Sequence, residues 1–336
     1  MSTPAPFDPD AAGAPDSGVF GLPCARADSR VVLLPVPFDA TTSYGHGTAR
    51  GPAAILEASR QVDLFDRRLG RIYERGIFME AEEAAIAELS ARARALAAPI
   101  IERGGAGPDD RDALAEIDAA GERVAAFTYE RTLAVLREGK VPGLVGGDHS
   151  TPLGAIRACA EKGGPLGILH VDAHMDLRES FEGFRYSHAS IMWNVLETVP
   201  GVTRLVQVGI RDMGEGEVRV AQAWGDRVRT FYDDQWAEAL LAGRPFASLV
   251  AEAIEALPRR VYVSFDIDGL DPCLCPHTGT PVPGGLSFHQ AALLLEALGR
   301  SGRNVVGFDL VEVCPGEDEW DANVGARILY KLCALA

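Results

Sequence analysis

From residue 143 onward the chain repeats one construction: a short, mostly apolar run, a polar turn, then a helical segment. The runs are 143–145, 166–169, 204–208, 228–231, 261–265 and 305–308, with an earlier one at Val31–Val36. Runs lacking polar alternation are those of strands buried on both faces. Alternated with helices, they predict an α/β fold built on a parallel sheet that helices cover on both sides.

Upstream of that rhythm the pattern is different. Residues 1–29 are rich in Pro, Ala, Gly and Asp and predict a poorly ordered or surface-wrapping arm. A helix is expected from Pro52 to about Phe65, since proline is tolerated in a first turn. Two further helices, 79–98 and 112–138, are separated by Pro99 and the glycine-rich stretch 104–108, and form a helical excursion spanning about 79–138. No linker or internal repeat divides residues 30–336, which read as one domain.

With 336 residues and 47% apolar content, the chain has material for a large core. Its 48 acidic against 32 basic residues give a formal charge of -16. Nucleic acids and anionic membranes require a basic surface, so neither is an expected partner; cationic substrates and metal ions are compatible. No apolar run is long enough to cross a membrane, and the first residues lack a signal-peptide pattern, so a cytoplasmic location is expected. The six cysteines then read as reduced thiols.

Chemistry concentrates just after the strands, where open α/β sheets place their ligands. The first cluster is Gly146-Gly147-Asp148-His149-Ser150, whose glycines allow a tight turn that brings His149 to the sheet edge. A helix-capping histidine is the competing reading. In the second, Asp172, His174 and Asp176 alternate with Ala173 and Met175. In an extended segment alternate side chains share a face, so two carboxylates and an imidazole converge. They repel one another unless a cation lies between them. Manganese, zinc, iron, cobalt and nickel all suit such mixed donors. His170 has the same parity but lies inside the apolar run, and is read as a core residue or one behind the ligands. The third cluster, Ser264 to Pro272, supplies Asp266 and Asp268 after another strand, with Asp271 ordering the loop.

Four aspartates and two histidines are too many for one ordinary site unless several lie outside the ligand shell, so a two-metal site fits better. His188 enters a helix and could shuttle protons, or simply cap or pack. Glu312 follows the last strand and could bind a planar cation bidentately, or start a helix. Cys273, Cys275 and His277 suggest a thiolate knuckle, but no second cysteine pair has matching spacing.

Taken together these motifs resemble the ureohydrolases, the family of arginases, agmatinases and formimidoylglutamases. Gly-Gly-Asp-His-Ser at 146–150, Asp-Ala-His-x-Asp at 172–176 and Ser-Phe-Asp-Ile-Asp-Gly-Leu-Asp-Pro at 264–272 occur in the family's order, and Val311-Glu312-Val313 matches its late glutamate motif. The resemblance implies a three-layer α/β/α fold with a mostly parallel sheet, and trimers or hexamers. It implies two Mn2+ per subunit, one held by His149, Asp172, Asp176 and Asp266, the other by Asp172, His174, Asp266 and Asp268. It implies hydrolysis of a guanidino C–N bond, with Glu312 holding the guanidinium, and Asp176 and His188 moving protons. Agmatine, split to putrescine and urea, is the expected substrate. Where arginases carry asparagine, Arg178 stands, and it could bind substrate as in formimidoylglutamases. A formimidoylglutamase, an arginase or another guanidino-acid hydrolase is therefore the alternative. From other classes come a dinuclear metallophosphoesterase and a metal scaffold without catalysis.

Overall fold

A computed structural model describes residues 7–11 and 13–336. Eight strands form one sheet: β1 Val31–Val36, β2 Ile77–Met79, β3 Val141–Gly146, β4 Leu166–Val171, β5 Val202–Ile210, β6 Val228–Tyr232, β7 Arg260–Asp266 and β8 Asn304–Val311. Their spatial order is β2-β1-β3-β8-β7-β4-β5-β6, and every ladder is parallel. After β3 the chain skips the two places later filled by β8 and β7 and resumes at β4. That jump opens a crevice over the carboxyl ends of the central strands, where loops diverge.

Among the described residues ten α-helices fill the outer layers: α1 Gly51–Ser59, α2 Ala84–Glu102, α3 Arg111–Arg137, α4 Leu153–Gly163, α5 Ile191–Thr198, α6 Glu215–Ala223, α7 Asp233–Leu241, α8 Phe246–Glu255, α9 Phe288–Arg300 and α10 Trp320–Cys333. On one face, Ile55 of α1, Leu249 of α8, Leu294 of α9 and Ile328 of α10 pack with Leu33, Val145, Val171, Val263 and Phe308. On the other, Ile156 of α4 and Val195 of α5 pack with Ile168, Leu205 and Tyr262, while Leu89 of α2 and Val124 of α3 meet Val36 and Leu144. Neighbouring strand residues thus serve opposite layers, which is why the runs read as continuously apolar. Truncating one such side chain to alanine costs about 2–5 kcal/mol.

Three local expectations are corrected. The segment from residue 77 begins as the edge strand β2, and its helix starts only at Ala84. Pro99 does not end α2, which continues to Glu102. It lies in the last turn, where its missing N–H withdraws one helical bond, that to the Ala95 carbonyl. Helix α1 stops at Ser59, short of the expected 65; there the Ser59 hydroxyl donates to the Leu56 carbonyl and accepts the Phe20 N–H.

That last bond ties down the amino-terminal arm. Phe20 is buried with its ring centroid 4.8 Å from that of Tyr330 on α10, and Val19 and Leu22 are buried beside it. The expectation for residues 1–6 lies outside the described residues. Among the described residues no helix is long and apolar enough to cross a membrane.

Candidate metal centre

The crevice is built from the ends of β3, β4, β7 and β8. At β3, Gly147 passes so close to Phe38 that an added Cβ would collide with its carbonyl. The Asp148 N–H donates to that carbonyl at 2.8 Å. The turn is thereby pressed against the chain leaving β1, and His149 is delivered buried into the crevice. Its backbone N–H donates to Glu312 Oε1 at 2.9 Å, linking β3 to the end of β8.

The His149 ring is held by a relay. Its Nε2 lies 2.9 Å from Ser264 Oγ, which lies 3.0 Å from Asp309 Oδ1. Burial pushes the Asp309 carboxyl up to about 6, with His149 and Ser264 opposing the rise, and its Oδ1 also accepts the Phe265 N–H at 3.1 Å, which marks that oxygen as an acceptor. Ser264 therefore donates to Asp309 and accepts the Nε2–H of His149. The Nδ1 lone pair is left facing inward.

Three carboxylate oxygens meet that lone pair: Asp172 Oδ2 at 3.0 Å, Asp176 Oδ2 at 3.1 Å and Asp266 Oδ2 at 3.1 Å. Nδ1 is buried and has no hydrogen-bond partner there. Four electron-rich atoms converging out of water need positive charge among them. Without a metal they draw protons: burial opposes it, yet Asp172, Asp176 and Asp266 hold the His149 imidazole well above its usual value. The donor set therefore fits a divalent cation.

A second set lies beside the first. His174 Nδ1 is 3.0 Å from Asp268 Oδ2 and 3.4 Å from Asp172 Oδ1, so the two oxygens of Asp172 face the two sets. Here too burial opposes protonation, but Asp268 and Asp172 raise the imidazole to about 12. All six residues expected as ligands are thus brought together.

The means of convergence differs from the expected strand parity. Strand β4 ends at Val171 and β7 at Asp266, so both motifs lie largely in loops. Asp176 has a left-handed backbone, φ 54°, and Asp268 lies in a short 3-10 turn, Ile267–Gly269. The aspartates themselves fold these loops by accepting main-chain N–H groups. Asp172 takes that of His174 at 2.6 Å, Asp266 that of Asp268 at 2.8 Å, and Asp268 that of Ala173 at 3.0 Å.

His188 and Glu312 adjoin this centre. His188 Nδ1 is 3.4 Å from Glu312 Oε1, and its Nε2 is 3.1 Å from Ser43 Oγ. Burial opposes protonation of His188, but Glu312 raises it above the usual imidazole value. Glu312 also has a left-handed backbone, φ 61°, and its Oε2 is buried without a partner.

A cleft of about 160 Å³ leads outward past Ser43, His188, Phe181, Arg178, Glu217 and Asp212. Arg178 Nε is 3.3 Å from Glu217 Oε2, and its guanidinium lies 4.6 Å from the centre of the Phe181 ring. Glu217 in turn accepts the Leu177 N–H at 3.1 Å and the Gly214 N–H at 2.8 Å. The thiolate knuckle, already disfavoured by cysteine spacing, does not assemble: Cys273 is exposed, while buried Cys275 donates to the Ile267 carbonyl.

Sequence reasoning missed the parts played by Ser264, Asp309, Glu217 and Ser43. For two of them a signal existed, since Ser264 and Asp309 are polar residues inside apolar strands, where an unexplained polar group needs a partner.

Comparison with known proteins fits this geometry. The model of the Arginase family matches residues 29–334. The chain belongs to the arginase family. It is 37% identical over 313 residues to the N(1)-aminopropylagmatine ureohydrolase of Thermus thermophilus, covering 92% of this chain and 90% of that one. The structure of proclavaminate amidino hydrolase from Streptomyces clavuligerus superposes with a TM-score of 0.74 at 25% identity, covering 97% and 98% of the two chains. Agmatine ureohydrolase of Thermoplasma volcanium gives 0.69 at 25% identity, over 93% and 91%. As a member of this family the chain is a hydrolase of C–N bonds in non-peptide linear amidines, and the family depends on a binuclear metal centre. The phosphoesterase alternative is set aside.

Proposed function

We propose that this arginase-family hydrolase cleaves the guanidino C–N bond of an amine-tailed guanidinoalkane, agmatine or its N1-aminopropyl derivative, releasing urea, with two manganese ions held by His149, Asp172, His174, Asp176, Asp266 and Asp268. The observation that carries the reading is the carboxylate of Glu312. Its Oε1 is engaged by the His149 N–H, whereas its buried Oε2 has no partner. An unpaired buried carboxylate oxygen calls for a donor, and a guanidinium supplies planar N–H pairs.

A divalent pair, when bound, supplies an activated water near neutral pH and stabilises developing negative charge. The chain's own groups do the rest. Glu312 accepts the guanidinium N–H and orients the carbon. Asp176 holds the leaving nitrogen's incoming proton, and His188, poised between Glu312 and Ser43, exchanges protons with the cleft. The buried walls exclude bulk water.

The rim supports a cationic tail. Glu217 answers the charge of Arg178, and Asp212, two-thirds exposed, adds a further carboxylate. The relative from Thermus thermophilus is named for the aminopropyl substrate. Arg178 then acts as a wall stacked on Phe181 and not as a carboxylate receptor. The test is urea release by manganese-loaded protein from agmatine, N1-aminopropylagmatine, arginine, guanidinobutyrate and guanidine. Urea from the two amines first is expected; none from any would overturn the reading, and formamide from formimidoylglutamate would redirect it. A trimer or hexamer is proposed with it, and light scattering coupled to gel filtration checks the mass.

A further inference from the structure

His170 lies close enough to His149, Asp172 and Asp176 to serve as a fifth donor by distance alone. The hydrogen bonds around it say otherwise. Gln207 Nε2 is 2.8 Å from the Met175 carbonyl oxygen and 3.0 Å from His170 Nδ1, while Gln207 Oε1 is 3.0 Å from Thr230 Oγ1. A carbonyl oxygen only accepts, so the Gln207 amide nitrogen must face Met175. Its second hydrogen then points at His170 Nδ1, which must accept. In a neutral ring the proton is on Nε2, which lies 2.8 Å from Asp172 Oδ2.

Neither ring nitrogen retains a lone pair for a cation. We infer that His170 is a positioning residue, locked as its Nε2–H tautomer by Gln207 and Thr230, that fixes the carboxylate of Asp172 between the two donor sets. The donated proton binds Oδ2, the oxygen facing His149, and sets the rotation that leaves Oδ1 toward His174. The sheet register builds this chain. Thr230 lies opposite Gln207 across β6 and β5, and Gln207 opposite His170 across β5 and β4. Outer partners of this kind commonly tune metal affinity about 10- to 100-fold.

The inference rests on Asp172 being a ligand, and its test has a readout that does not. In the full chain with 15N-labelled histidine and no metal, His170 is expected to show a protonated Nε2 and a bare Nδ1. A protonated Nδ1 would overturn the assignment. Mn2+ titration should then show His170→Phe binding about 10- to 100-fold more weakly. His170→Gln, which places an amide donor near the Nε2 position, should recover most of that loss. Parent-like affinity in His170→Phe, or no rescue by His170→Gln, would also overturn it. Should His170→Phe fail to fold, Gln207→Leu, which frees the tautomer, should weaken binding in the same direction; unchanged affinity would count against the proposal. If the parent chain binds no Mn2+, the metal reading fails, while the tautomer still decides the role of His170.

Discussion

The two donor sets share Asp172 yet differ in how they are held. The His149 set is sealed: its imidazole side chain is 1% exposed and backed by Ser264 and then Asp309. The His174 set is open: its imidazole is 24% exposed, and its other nitrogen looks across 4.0 Å toward exposed Asp212. Backing groups orient a ligand and burial excludes competing water. The inner set should therefore hold its ion more tightly, and the outer set should exchange its ion and meet the incoming substrate.

The largest effect is expected where the two sets join. Asp172→Asn removes charge from both, and urea release should fall on the order of 10³-fold or more, with metal analysis showing depleted manganese. Retention of two ions at parent affinity would show that Asp172 does not join them. Ser264→Ala frees the His149 ring and should weaken only the inner ion, about 10- to 100-fold. In the parent, graded chelation should strip one ion well before the other, and in Ser264→Ala the two steps should draw together. Unchanged separation would remove the relay from the explanation. Asp212→Asn touches only the open side and should raise KM for a diamine-tailed substrate a few-fold, about 1 kcal/mol or less, with kcat preserved.

The smallest effect lies away from both sets. His277 Nδ1 is 2.7 Å from buried Asp321, which raises its pKa. A raised folded-state value means that this pair stabilises fully below the ordinary histidine value, and that the contribution fades as pH rises through the folded one. At an exposed ring it amounts to less than about 1 kcal/mol. Denaturant melts of His277→Ala should match the parent above that window and fall slightly below it at pH 5.5.

The sequence displayed the sheet and the reacting side chains for one reason: burial makes both chemically conspicuous. Val31–Val36 reads as a strand to the residue, and carboxylates directly after apolar runs stand out. What stayed hidden depends on register. Ser264 lies opposite Asp309 across β7 and β8, and Gln207 opposite His170 across β5 and β4. These pairings create the relays, and no spacing along the chain encodes them. The edge strand Ile77–Met79 was hidden differently, since three residues are too few to show a period. The loop geometry at Asp268 escaped because main-chain N–H groups donating to the carboxylates of Asp266 and Asp268 override the extended backbone that alternation suggests.

Asp176 and Glu312 are two of the four non-glycine residues with positive φ among the described residues. A left-handed backbone costs a residue bearing a Cβ up to about 1–2 kcal/mol that glycine would not incur, less for aspartate than for glutamate. Selection for heat resistance alone would therefore drift toward glycine at these two positions and recover sturdier proteins that turn over nothing. Any campaign to evolve this enzyme for harsher conditions has to screen for turnover and melting temperature together, because here the two pull in opposite directions.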